Sequence, residues 1–366
     1  MPMQKPYSHG SIALLAAALV IACPPVRAAQ SAFTPPNWTL TSAQEASARA
    51  DTVAELRPLF TLARAGQDEE LLRALQALAT DERLPLPARE RLLQEFAGGL
   101  ADLPARRLAP ALAAWLLAWR PQILVPHGES PAVGAPLFNV AAATAGSLSA
   151  WSRQLARADS ERLLGQDANG WPDAWLAAWL AASGDRRTGL ADALDGAPLA
   201  RLEALADATL ARLPLSPELS GITLRIALAL SDPQLFGAGV ASGGSDGLAA
   251  ALRAAREHYD DDELAAILQR AVREAPAPNA ALVIAELGPV VADRPGIERL
   301  LFDLLAHPEL GGAASLLLAN SNDPLVRQRL DELAAREDGL AARRAGLARA
   351  LRPDPSRSPG NPEMRP

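Results

Sequence analysis

A histidine, a carboxylate and a hydroxyl stand together in this 366-residue chain at His127-Gly128-Glu129-Ser130. Glu129 has the chemistry of a general acid or base, His127 that of a binding donor, and Ser130 adds a hydroxyl beside them. The surrounding residues 120–137 hold four prolines (Pro121, Pro126, Pro131, Pro136) and two glycines, so they form no regular helix. Long irregular loops in compact domains often carry function. The simpler reading of 120–137 is a crossover between two helical halves.

The tryptophans are the second feature with chemistry in it. Trp171, Trp175 and Trp179 recur at i, i+4 and i+8 on one helix face; Trp115 and Trp119 do so on another, with Trp151 between the two groups. A face of indoles can stack on sugar rings or on a peptide. A stripe at helical spacing is more often a buried stripe, and the preferred reading makes these indoles core residues filling space among alanines. Residues 108–119 are apolar throughout, bounded by Arg106-Arg107 and Arg120. A helix apolar all round belongs in the core or against a partner, and the core is preferred.

Three other patterns carry less. Gly243-Gly244-Ser245-Asp246-Gly247 matches the G-x-S-x-G nucleophile elbow, which needs a strand before it and a base such as His307 brought to the serine. No strand is legible there, and a flexible loop ahead of a helix starting near Leu248 explains the glycines. His258 followed by Asp260-Asp261-Asp262-Glu263 has metal-ligand chemistry, but no histidine pairs with another at ligand spacing. The acidic run sits where a helix begins, which capping explains. No metal and no cofactor is expected. Lys5 is the sole lysine, so no later residue supplies a Walker or Schiff-base lysine.

The elements that must position these residues are helices. The chain is 49% hydrophobic but 4% aromatic, and Ala and Leu dominate rather than the β-branched and aromatic residues of sheets. Leu71, Leu72, Leu75 and Leu78 form one stripe, Leu92, Leu93, Phe96 and Leu100 the next, and Leu202, Leu205, Leu210 and Leu213 another. Leu264, Ile267, Leu268, Ala271 and Val272 match the i, i+3, i+4, i+7, i+8 pattern at every position. Turn signals at 65–68, 84–87, 182–185, 215–217 and 275–278 separate the stripes, so short helices pack on their neighbours. The expected fold class is all-α. Residues 237–247 read as a mobile glycine-rich connector.

An internal repeat favours stacking over a bundle. Shifting 297–314 by 28 residues superposes Arg299 on Arg327, Asp303 on Asp331, Glu309 on Glu337 and Gly311 on Gly339. Asn322-Asp323-Pro324-Leu325-Val326-Arg327 resembles the Asp-Pro-x-Val-Arg start of a HEAT second helix. Asp323 suits the cap, Pro324 the first helical position, and Val326 the start of the buried stripe. Upstream, Arg294-Pro295-Gly296-Ile297 keeps the outline. The resemblance implies a right-handed solenoid of short antiparallel helix pairs and brings no catalytic residues with it.

At the N-terminus Lys5 precedes an apolar run over 12–22, then Pro24-Pro25 and the small residues of Val26-Arg27-Ala28. This pattern predicts a cleaved signal peptide (1–28) and export to the periplasm. Val20-Ile21-Ala22-Cys23 resembles a lipobox, and lipidation at Cys23 would make a membrane-anchored lipoprotein instead. Beyond residue 28 follow an extension (29–41), a helical-repeat domain (42–351) with the irregular loop at 120–137, and a disordered tail (352–366). After cleavage, 33 arginines face 42 acidic residues, a formal charge of −9. Nucleic acid is therefore not expected as a partner. The expectation is an envelope binding or scaffolding protein for a protein or peptide, with membrane attachment only through Cys23. The alternative is a helical carbohydrate-active enzyme acting on envelope glycan. The candidate binding residues are His127, Glu129, Ser130 and the six tryptophans Trp115, Trp119, Trp151, Trp171, Trp175 and Trp179.

Overall fold

A computed structural model describes residues 34–352, apart from 129, 168 and 337. The expected signal peptide (1–28) with Cys23, the start of the expected 29–41 extension, Glu129 and the residues beyond 352 lie outside the described residues. Among those described the chain is helical, with eighteen α-helices. No helix among them is long and apolar enough to cross a membrane.

The first part comprises α1 (Leu40–Ser47), α2 (Thr52–Ala65), α3 (Asp68–Thr80), α4 (Leu86–Gly99) and α5 (Pro110–Leu117). A two-stranded antiparallel hairpin follows, β1 (Leu124–His127) and β2 (Ser130–Pro136), and then the 25-residue α6 (Val140–Leu164). Leu71, Leu75, Leu92, Leu93, Phe96 and Leu112 form one apolar cluster with the N-terminal half of α6, through Val140 and Trp151. The C-terminal half of α6, through Ala156 and Leu164, belongs to the larger cluster that runs to the end of the chain. One helix thus serves both.

The hairpin replaces the irregular loop expected at 120–137. Its prolines hid it, because proline donates no ladder hydrogen bond and interrupts alternation. Here they stand on a two-stranded ribbon whose register runs Leu124↔Pro136, Val125↔Ala135 and Pro126↔Gly134 before slipping at His127↔Ser130. The chain just before α1 lies along this ribbon: Gly134 N donates to Thr34 O at 2.9 Å, and Asn37 brackets Leu124 and Gln122 with its side-chain amide. A Cβ on Gly134 would stand 2.9 Å from Thr34 O, so that approach needs glycine.

The second part contains α7 (Trp171–Ala181), α8 (Gly184–Asp192), α9 (Leu199–Leu210), α10 (Ser220–Leu230), α11 (Pro233–Ala241), α12 (Leu248–His258), α13 (Asp261–Glu274) and α14 (Ala277–Val291). It ends with α15 (Pro295–Leu304), α16 (Gly311–Ala319), α17 (Pro324–Ala334) and α18 (Leu340–Ala350). Alternate helices touch in succession: α10, α12, α14, α16 and α18 form one row, while α11, α13 and α15 form a second against it. The start signals act as their residue types dictate. Asp323 accepts from Leu325 N at 2.8 Å with Pro324 at the first position of α17. Asp260 and Glu263 close a reciprocal capping box at α13, where the acidic run stands.

Two expectations need correction. The connector expected at 237–247 is shorter than that: 237–241 belong to α11, where Gly237 and Gly239 are buried, and a Cβ on Gly239 would stand 3.0 Å from Leu224. A Cβ on Gly244 would fall 2.3 Å from Pro217 O, so these glycines permit close packing. The 28-residue shift also misplaces the first helix of the repeat by one residue. It pairs fully buried Ile297 with Leu325, which is 71% exposed. A shift of 29 instead aligns Pro295 with Pro324, Ile297 with Val326 and Leu301 with Leu330, all four of these apolar side chains being buried.

Candidate functional site

Among the described residues Glu90 is the one carboxylate that is buried. It lies wholly buried on α4, on the face shared by Leu93 and Ala97, and receives three donors from the segment after α5. Gln122 N (2.6 Å) and Trp119 Nε1 (3.2 Å) donate to Oε1, and Ile123 N (3.1 Å) donates to Oε2. Burial pushes its carboxyl above the usual range, with the donors acting in the opposite direction. The folded state therefore holds this proton more tightly than the unfolded chain. Glu90's contribution to stability should fall as pH rises from about 4.5 through its raised pKa. Denaturation of wild type and Glu90→Gln over that range checks the sign, since the variant loses this slope. Glu90→Ala should cost about 1–3 kcal/mol for the buried Ile123 N–H alone.

The hairpin that Glu90 anchors carries His127 and Ser130 paired at its tip. His127 is exposed, Gly128 follows it with a φ of +20°, and Glu129 is outside the described residues. Two clefts reach a tryptophan, one at Trp151 and one at Trp179, and neither includes His127. The structure thus brings none of the tryptophans to the hairpin tip by way of these clefts.

Four of the six singled-out tryptophans are buried, so they offer no open platform. Trp175 Nε1 donates to Ser160 Oγ at 2.7 Å, Trp179 Nε1 to Glu218 O at 2.9 Å, and Trp151 Nε1 to Leu103 O at 3.1 Å. Trp175 and Trp179 stack with centroids 5.9 Å apart, and Arg187 and Arg201 lie over Trp179 and Trp171. Trp115 and Trp119 are half-buried in an edge-on pair. Their helix does not lie in the middle of the core as its composition implies. Only Leu112 and Leu116 of α5 are buried, and Leu117 is exposed. Alanines at 111, 114 and 118 make up much of the outer face, so its exposure costs little.

The other motifs have structural partners. Ser245 is exposed on a turn after α11, with no strand before it among the described residues. His307 Nδ1 accepts from Glu309 N and Leu310 N at 3.2 Å each, at the entry to α16. His258 Nδ1 lies 2.9 Å from Ala254 O on its own helix. Among the described residues no group of three His, Cys, Asp or Glu is placed to hold a metal ion.

A cleft of about 530 Å³ lies where the two parts meet on α6, within the range of roughly 300–1,000 Å³ usual for ligand sites. Its floor is Leu108, Leu148, Leu155 and the edge of Trp151; Arg107 and Arg186 stand at its rim. The segment 103–109 is held at both ends. Trp151 binds Leu103 O, while Asp68 at the start of α3 accepts from Arg106 through two bonds (2.6 and 3.0 Å) and from Ala109 N at 2.7 Å. The Arg106 guanidinium holds the Asp68 carboxyl below the usual carboxylate range. On the other side, α8 approaches α6 so closely that a Cβ on Gly189 would fall 2.1 Å from Arg153 O, and this contact places Arg186.

Sequence reasoning marked Arg106-Arg107 only as the border of an apolar run, and it missed Asp68 and Glu90. For Glu90 a signal existed, since it occupies i−3 to Leu93 and i−7 to Ala97 on an otherwise apolar face. No protein-family model, curated protein or solved structure matches the chain.

Proposed function

We propose that the chain is an envelope-located binding or scaffolding protein that docks a protein or peptide partner on a HEAT-like stack of helix pairs. One observation supports this above others: from α10 to α18 each helix of a row meets its neighbours in succession. Such stacks present extended surfaces suited to partner docking, and their curvature follows from a small rotation at each repeat. A right-handed superhelix is part of the same proposal, drawn from the Asp323-Pro324-x-Val326-Arg327 start of α17. Export rests on the 12–22 apolar run and on Val26-Arg27-Ala28.

The test is carried out in cells. A photo-crosslinking residue is placed in turn at the exposed positions Arg107, Arg186, Leu316 and Leu347 of the full chain. A binding protein should give discrete heavier adducts from some of these positions and not from others. Absence of adducts at all four, together with release of sugars from purified envelope glycan by the chain, would replace this reading with the carbohydrate-active one. Mass analysis of the recovered N-terminus tests export: a start at Ala29 or Gln30 fits signal cleavage, and an acylated Cys23 establishes the lipoprotein.

A further inference from the structure

The cleft on α6 combines an apolar floor with a cationic rim, in a chain whose formal charge is −7. Among the described residues Arg107 and Arg186 take part in no ion pair, whereas the other charges at the cleft are already engaged. Arg106 is bound to Asp68, and the Asp159 carboxylate is held by Arg162. Two guanidinium groups with free donors therefore flank a surface of half-buried leucine carbon, with the buried Trp151 beneath it. A guanidinium presents a planar fork that matches a carboxylate through paired hydrogen bonds. The floor rewards burial of an apolar side chain between those contacts.

We infer that this cleft docks an acidic-apolar peptide segment of a partner protein, with a leucine- or phenylalanine-sized side chain over Leu148 and Leu155 and carboxylates on Arg107 and Arg186. The inference rests on the binding-protein reading and deepens it by naming the partner's chemistry. The site is preorganised. The Asp68 clamp and the Trp151 bond fix the backbone that presents Arg107 and Leu108, and the Gly189 contact fixes the helix that presents Arg186. Little ordering of the protein is then required on binding. Most arginines elsewhere on the rows of α10 to α18 that have partners spend their donors on carboxylates or carbonyls of adjacent helices, as Arg294 does on Asp261 and Arg344 on Leu305 O.

Fluorescence anisotropy on the full chain tests this with three labelled synthetic peptides. The first carries leucine and phenylalanine flanked by glutamates; the second has lysines in place of the glutamates; the third keeps the glutamates and has serines in place of the apolar residues. The first should bind, with an affinity that falls as salt rises because the charge contacts are solvent-accessible. The second should not bind, and the third should bind more weakly than the first. Arg107→Ala and Arg186→Ala should each weaken the first peptide about tenfold, equivalent to about 1.4 kcal/mol. Arg256→Ala, an exposed arginine on α12, should leave binding unchanged. Both cleft arginines are exposed, so thermal melts should show these variants folded. Binding of the lysine peptide as tightly as the glutamate one, or undiminished binding by the double variant, would overturn the inference. So would failure of all three peptides to bind. Those outcomes leave the binding-protein reading standing if crosslinks form at Leu316 or Leu347; loss of crosslinks at every position defeats that reading independently.

Discussion

Trp175→Ala should destabilise the folded chain by about 3–5 kcal/mol. The indole is fully buried, stacks on Trp179 and donates to Ser160 Oγ, which in turn donates to Leu190 O at 3.1 Å. Truncation opens a large cavity beside α6 and α7, and it breaks a two-bond relay joining α7 through α6 to α8. Chemical denaturation with unchanged m but a lower midpoint is the expected signature. Trp115→Ala is the control. That indole is half-buried at the edge of α5 and should cost far less. Equal losses for the two variants would contradict the burial described for Trp175.

The second large effect is expected at Ile267→Ala, about 2–5 kcal/mol. Ile267 stands on α13 between Leu264 and Leu268, all three buried, where α13 packs on both α11 and α14. The cavity therefore opens at a junction of three helices that has little freedom to collapse. A melting curve superposable on wild type would mean that this face of α13 is not packed and that the row of α11, α13 and α15 is wrongly assembled.

These two residues mark what could be read in advance. The stripe around Ile267 is regular, and its periodicity alone located the helix and its buried face. The tryptophan stripe was equally regular, but its meaning was ambiguous, because periodicity tells which residues share a face and not what covers that face. Burial of Trp171, Trp175 and Trp179 depends on how α6 and α9 fold back on α7, and Trp179 finds its acceptor, Glu218 O, 39 residues further along the chain. The hairpin was illegible for a different reason. Its pairing lies between Leu124–His127 and Ser130–Pro136, where prolines remove the alternation that marks strands. The cleft could not be read at all. Arg107 and Arg186 are 79 residues apart, and they share a rim only because Asp68 clamps one loop while Gly189 admits one helix. The repeat register failed by a single residue because alanine and leucine recur so often that identity matches outran the burial pattern.

The length of α6 has a consequence for how the chain comes apart. At 25 residues and about 1.5 Å rise per residue it is roughly 37 Å long. Its first half is embedded in the cluster built by α2 to α5, and its second half in the cluster that continues to α18. It acts as a beam shared by two rooms. Neither apolar cluster can open without uncovering part of the same helix, and a helix stripped along half its length loses the packing that sustains it. Proteolysis should therefore release no stable fragment ending within 140–164, and opening detected by hydrogen exchange at Val140 should be energetically linked to opening at Leu164. The terminal helices α17 and α18, packed mainly on each other and on α16, are free of that linkage and should fray first.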